Sequence, residues 1–188
     1  MFRFASIFIV AVLLLSCRRG KEQAVAIAPS NSPMDPSAVP SDPFGAASPA
    51  YAALREVADE ALARSWDGQL PSFAGWLEQE TVAVERALSL LKALRVGARD
   101  EYAVANARIA LVYEHIARGL TEASAAAEAA GYDADWKDQQ GRIREQAHAF
   151  WMRCVRLCST GGAHLDAWDL RCRYGGAQGP EQSPRQLN

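Results

Sequence analysis

The chain has 188 residues, 49% of them hydrophobic and 22% charged, with a formal net charge of −2 at pH 7. That balance supports one apolar core of ordinary domain size. It gives no basic excess for a polyanion, so no nucleic-acid partner is expected.

The N-terminus reads MFRFASIFIVAVLLLSCRRGK. Arg3 is a short basic head, and Ile7 to Leu15 form an unbroken apolar run. The run is too short to cross a ~30 Å hydrocarbon core as a helix. It has the dimensions of a signal-peptide core, so residues 1–16 are expected to be a cleaved signal and are set aside from the fold. The run closes on Leu14-Leu15-Ser16-Cys17, which resembles the lipobox of bacterial lipoproteins. The resemblance implies lipidation of the Cys17 sulfur, cleavage before Cys17 and acylation of the new amino group by a fatty acid such as palmitate. A single acyl chain binds a bilayer only marginally, and the several on such a cysteine anchor it stably. A place in the cell envelope follows. Arg18, where some lipoproteins carry a retaining aspartate, points by analogy to the outer membrane, facing the periplasm.

Residues 17–47 are rich in Pro, Ser and Ala, with prolines at 29, 33, 36, 40 and 43. They offer little apolar surface, and a disordered tether reaching about 30 Å is expected. Composition then changes, and 48–174 reads as one helical domain. Ser48 and Pro49 are an N-cap and first helical residue, followed by Leu54, Val57, Ala58, Ala61, Leu62 and Trp66 at three- and four-residue spacing, with Asp67-Gly68 as the stop. A second helix starts near Ser72, carries Phe73, Trp76, Leu77, Val84, Leu88, Leu91 and Leu94, and ends at Gly97. A third opens at Asp100 and runs towards Ala130, with Gly131 as a left-handed stop and Gly119 as a candidate bend. A fourth begins around 133–135 with a seam of Trp136, Ile143, Ala147, Phe150, Cys154 and Leu157. After Ser159 to His164, a short fifth helix spans Leu165 to about Arg173, and 175–188 reads as a disordered tail. Long helices joined by short turns predict an all-α antiparallel bundle of four long helices plus a short C-terminal one. A short tetratricopeptide-like repeat is the alternative, although neither its 34-residue period nor its signature is present.

A lipidated Cys17 leaves three thiols, an odd number, so one must lie outside any intrachain disulfide. If helices four and five form a hairpin about Gly161–Gly162, Cys154 and Cys172 differ in height by roughly 4–5 Å, and Cys158 and Cys172 by about 10 Å. A disulfide needs Cα atoms about 4.4–6.8 Å apart. The spacing favours Cys154–Cys172; a Cys158–Cys172 bond and an unbonded hairpin remain alternatives. Cys158 is then the spare thiol, read as a small buried hydrophobe, with an intermolecular disulfide as the alternative. The hairpin loosely resembles the Cys-bridged helical hairpins of some helical-repeat bacterial lipoproteins.

Cys154, Cys158, Cys172 and His164 could be drawn as a Cys3His zinc site, but C-x3-C on a helix is not a knuckle spacing, and an oxidising compartment favours the disulfide. No metal and no cofactor is expected. His115, His148 and His164 read as packing or surface residues. Glu78, Glu80, Glu101 and Glu114 read as solvating charge, and no catalytic residue is assigned. Trp151 adjoins a seam position already held by Phe150, so its ring is expected at the seam's edge. With Arg153 and Arg156 it forms the candidate partner patch. The expected function is a non-enzymatic, lipid-anchored binding or scaffolding module with a protein partner in the envelope. The alternatives are a thiol- or metal-dependent activity centred on Cys158 and His164, and a carrier of hydrophobic ligands.

Overall fold

A computed structural model describes residues 35–94, 98–132 and 136–179. The described residues form an all-α bundle with no strand: α1 (Pro49–Ala63), α2 (Leu70–Leu94), α3 (Arg99–Ala129), α4 (Lys137–Cys158), a 3-10 turn (Ala163–Leu165) and α5 (Asp166–Ala177). None of the described helices is long and apolar enough to cross a membrane.

The helix ends follow from local chemistry. The Ser48 hydroxyl accepts the Tyr51 N–H, and Pro49 occupies the first turn, where a missing N–H costs nothing. Gly68 and Gly131 sit at φ +79° and +78°, the left-handed region that a Cβ disfavours, and each lies in a connection after a helix. α1 ends at Ala63, earlier than its apolar period suggests. Arg64 is extended, which frees its carbonyl to accept from His115 Nε2 at 2.9 Å and sends its guanidinium to Glu80 at 2.8 Å. Tertiary contacts override the local pattern there.

α3 is the shared element of the bundle: α1, α2 and α4 all pack on it, α1 also packs on α2, and α5 packs mainly on α4. Every residue from Ala103 to Tyr113 is accordingly buried, as expected of a helix covered all round. The alanines at 103, 105, 107 and 110 let neighbours approach closely. α3 runs through Gly119, the candidate bend, without a break. Gly119 instead makes room for the Trp76 ring, which lies against the backbone where a Cβ would stand.

The tether was expected to be disordered to Ala47, but its last part is folded. Asp42 accepts hydrogen bonds from Phe44 N–H (3.0 Å), Tyr51 Oη (3.0 Å), Arg55 (3.2 Å) and the buried Arg108 (3.2 Å). Trp168 Nε1 donates to the Ser41 carbonyl at 3.0 Å, and Phe44 packs edge-on to Tyr51. These contacts tie the segment before α1 to α1, α3 and α5 at once. Burial disfavours the Asp42 carboxylate, but the Phe44 N–H, the Tyr51 hydroxyl, Arg55 and the charge of Arg108 outweigh it and hold the carboxyl below its usual range. At the other terminus, α5 continues through Gly175 to Ala177, past the position where a disordered tail was expected to begin.

Candidate functional site

The cysteine hairpin forms as its spacing suggests. Cys154 and Cys172 are bonded with Cα atoms 5.9 Å apart. Cys158 is a free, buried thiol with Sγ 3.6 Å from that of Cys154. Burial, with Asp169 and Asp100 adding to it, pushes the Cys158 thiol up to about 12, so it is neither nucleophilic nor readily oxidised at neutral pH. His164 does not join the sulfur atoms: its Nε2 lies 3.1 Å from Asp100 Oδ2, on a half-exposed pair. Cys17, the expected lipidation site, lies outside the described residues, as does the segment 1–16.

The expected patch at Trp151, Arg153 and Arg156 does not exist as a surface. Trp151 is 1% exposed. Its Nε1 donates to Glu114 Oε1 at 2.6 Å, the Arg171 guanidinium lies 4.3 Å over its ring, and its ring covers Gly175 so closely that no Cβ would fit. α4 has two partner helices, not one. Phe150 stacks on Tyr113 of α3 (5.7 Å), while Trp151 faces α5. Arg153 folds over the Phe150 ring at 4.8 Å, and Arg156 is left exposed on its own. The register of the hairpin carried the missed signal. Counting outward from the disulfide, three residues back along α4 reaches Trp151 and three onward along α5 reaches Gly175.

The carboxylates expected to be solvating divide differently as well. Glu78 is exposed, but Glu80 is fully buried on Arg64, and Glu101 accepts the Ser48 N–H at 2.7 Å and tethers α1 to the start of α3. Glu114 holds both Trp151 and Arg171 (3.0 Å). These are structural pairs, and no general acid or base follows from them. A cleft of about 560 Å³ where α5 ends is lined by Arg118, Arg144, Arg171, Glu114 and Glu122. Its most buried cation, Arg171, is answered by Glu114, so it presents no unmatched charge of its own.

A different surface has the composition of a binding site. At the end of the bundle where α2 and α4 begin and α3 finishes, a groove of about 680 Å³ is lined by Leu70, Pro71, Phe73 and Ala74 from one side, Ala126, Ala127 and Ala130 from α3, and Tyr132 and Trp136 beyond it. None of its lining residues is charged, in a chain where 22% are. Trp66, Phe73, Trp76 and Trp136 form a continuous ring cluster behind it, with centroids 5.2 Å (Trp66–Phe73), 5.6 Å (Phe73–Trp76) and 5.2 Å (Phe73–Trp136) apart. Tyr132, at the rim, is 66% exposed. Aromatic side chains with few charges mark the centre of protein interfaces rather than ordinary surface. Sequence reasoning found Phe73, Trp136 and Trp66 as seam residues but not their meeting, because they come from three segments whose ends converge only once α1, α2 and α4 have packed.

The groove and the start of α1 lie towards opposite ends of α3. Ser48 is bonded to Glu101 at the start of α3, whereas the groove rests on Ala126 and Ala127 near its end. At 1.5 Å per residue that is a separation of about 40 Å. No protein-family model, no curated protein and no solved structure matches the chain.

Proposed function

We propose that the protein is a lipid-anchored lipoprotein of the bacterial envelope whose helical domain is a non-enzymatic binding module, and that the uncharged groove at Phe73, Tyr132 and Trp136 is its contact surface. The observation that carries the reading is the groove's composition: an aromatic floor, an exposed tyrosine at its rim and no charge in its lining. Its position supports the same assignment. The start of α1, at Ser48, lies towards the other end of α3, which leaves the groove clear of the folded strap. Its fitting occupant is an apolar segment of an envelope protein, since an uncharged lining gives a charged ligand nothing with which to replace its lost hydration.

The test has two separable arms. Metabolic labelling with an alkyne-bearing fatty acid should mark the wild-type chain and not Cys17→Ala; equal labelling of both sinks the anchor. Independently, a photo-crosslinking residue in place of Tyr132 should yield a discrete protein adduct in intact envelopes, while the same residue in place of the exposed Arg86 on α2 should not. No adduct at Tyr132, or the same adduct at both positions, removes the groove as the contact surface. Recovery of lipid alone at Tyr132 assigns the groove to the hydrophobic-carrier reading instead.

A further inference from the structure

The three cysteines converge at the end of the bundle opposite the groove. All are buried, and their sulfur atoms lie within 4.8 Å of one another. Cys154 and Cys158 are one turn apart on α4, with Sγ atoms 3.6 Å apart, and Cys172 faces them from α5. All three positions lie on two regular helices, α4 and α5.

While that bond is closed, one thiol remains, and one thiol does not make a metal site. A dithiol reductant changes this. It passes two electrons to the disulfide and becomes a disulfide itself, while Cys154 and Cys172 each take a proton. Three sulfurs placed trigonally about one ion at ~2.3 Å stand about 4 Å from one another. Cys154 and Cys158 are already near that spacing, and Cys172 has only to part from Cys154 to reach it.

One acidic oxygen nearby, Asp169 Oδ1, is buried without a hydrogen-bond partner, while its Oδ2 is held by Arg173 at 2.7 Å. The donor set selects among cations. It contains sulfur alone, because His164 is turned to Asp100. Structural zinc takes four ligands, whereas soft thiolates suit monovalent copper.

We propose that reduction of the Cys154–Cys172 bond opens a buried three-sulfur site for a monovalent copper ion, with Cys154, Cys158 and Cys172 as its ligands. Loading releases thiol protons to solvent and involves no change in the oxidation state of the copper. The site is independent of the anchor and of the groove, and it gives Cys158 a role that the disulfide does not.

The full-length protein in detergent micelles is reduced with a water-soluble phosphine, freed of it under anaerobic conditions, and titrated with copper(I) held by a chromophoric bicinchoninate chelator. The reduced wild type should withdraw one copper per chain and the oxidised protein none. Cys158→Ala, checked for helicity by circular dichroism, should bind ~100-fold or more weakly, since loss of even an outer-shell partner costs 10–100-fold. X-ray absorption at the copper edge on the wild type should report three sulfur neighbours, a readout that holds even if the variant does not fold. Failure of the reduced protein to withdraw copper overturns the proposal. So do unchanged affinity in Cys158→Ala, a copper shell of nitrogen or of two sulfurs, and displacement of the copper by an equimolar amount of zinc.

Discussion

Glycine to alanine is the smallest substitution in this protein that should change sign with position. Gly75 in α2, Gly141 in α4 and Gly119 in α3 are all inside helices. Around Gly75 and Gly141 an added Cβ meets nothing within 4 Å. There alanine should stabilise by up to about 1 kcal/mol, the difference in helix propensity. At Gly119 the same Cβ lands on the Trp76 ring. That ring cannot swing aside, because Trp76 is 7% exposed, stacked on Phe73 at 5.6 Å and met edge-on by His115 at 5.5 Å. Overpacking of this kind costs about 1–3 kcal/mol, which offsets or exceeds the propensity gain. The expected net is a destabilisation of up to about 2 kcal/mol, or a fall in Tm of up to roughly 8 °C for a domain of this size. Thermal melts followed by circular dichroism measure all three variants. Combining Gly119→Ala with Trp76→Leu should cost less than the sum of the two single changes, because the leucine leaves the space the Cβ needs. A Gly119→Ala protein as stable as Gly141→Ala, or strict additivity with Trp76→Leu, would refute the account of why glycine stands at 119.

Asp42→Asn removes the charge from the centre of the folded strap and should cost about 1–3 kcal/mol at neutral pH. Because the folded carboxyl titrates below its unfolded value of 3.8, this contribution is present above that value and lost as pH falls through the folded one. Urea melts of wild type and variant should therefore converge at acid pH; a constant gap would contradict the charge assignment. Glu114→Ala strips the carboxylate from Arg171, whose side chain is 6% exposed, and from the Trp151 indole. With the Glu114 side chain itself 33% exposed, it should destabilise by about 1–3 kcal/mol, less than breaking a fully buried pair; no measurable loss by chemical denaturation would sink the network. Cys158, with its thiol pushed up to about 12, should resist maleimide at pH 7 in the folded oxidised protein and react at once in denaturant. Rapid native labelling, mapped to Cys158 by mass spectrometry, would show that the thiol is not held as described.

Much of the helical frame was legible because its signals are local. Ser48-Pro49, Gly68 and Gly131 act on the backbone within a few residues of themselves and fall where the structure uses them. The Cys154–Cys172 bond was legible because helical rise converts sequence separation into height. What escaped depended on a second partner. A single seam on α4 leaves Trp151 at an edge; only the arrival of α5, with a glycine opposite the indole, turns that edge into core. The strap escaped for a related reason. Its Pro-rich composition has little to bury, and its order comes instead from a few directed contacts of Ser41, Asp42 and Phe44 with residues far along the chain. Glu80, Glu101 and Glu114 looked like surface charge because nothing in their own helices announces Arg64, Ser48 or Arg171 as the group to be matched.

The strap also sets how a force would travel through the molecule. Tension arriving from the N-terminal side does not fall on the first turn of α1. It meets Asp42 and Ser41, which pass it to Arg55 on α1, Arg108 on α3 and Trp168 on α5, and the disulfide relays it from α5 to α4. Load is thus shared among four helices at one end of the bundle.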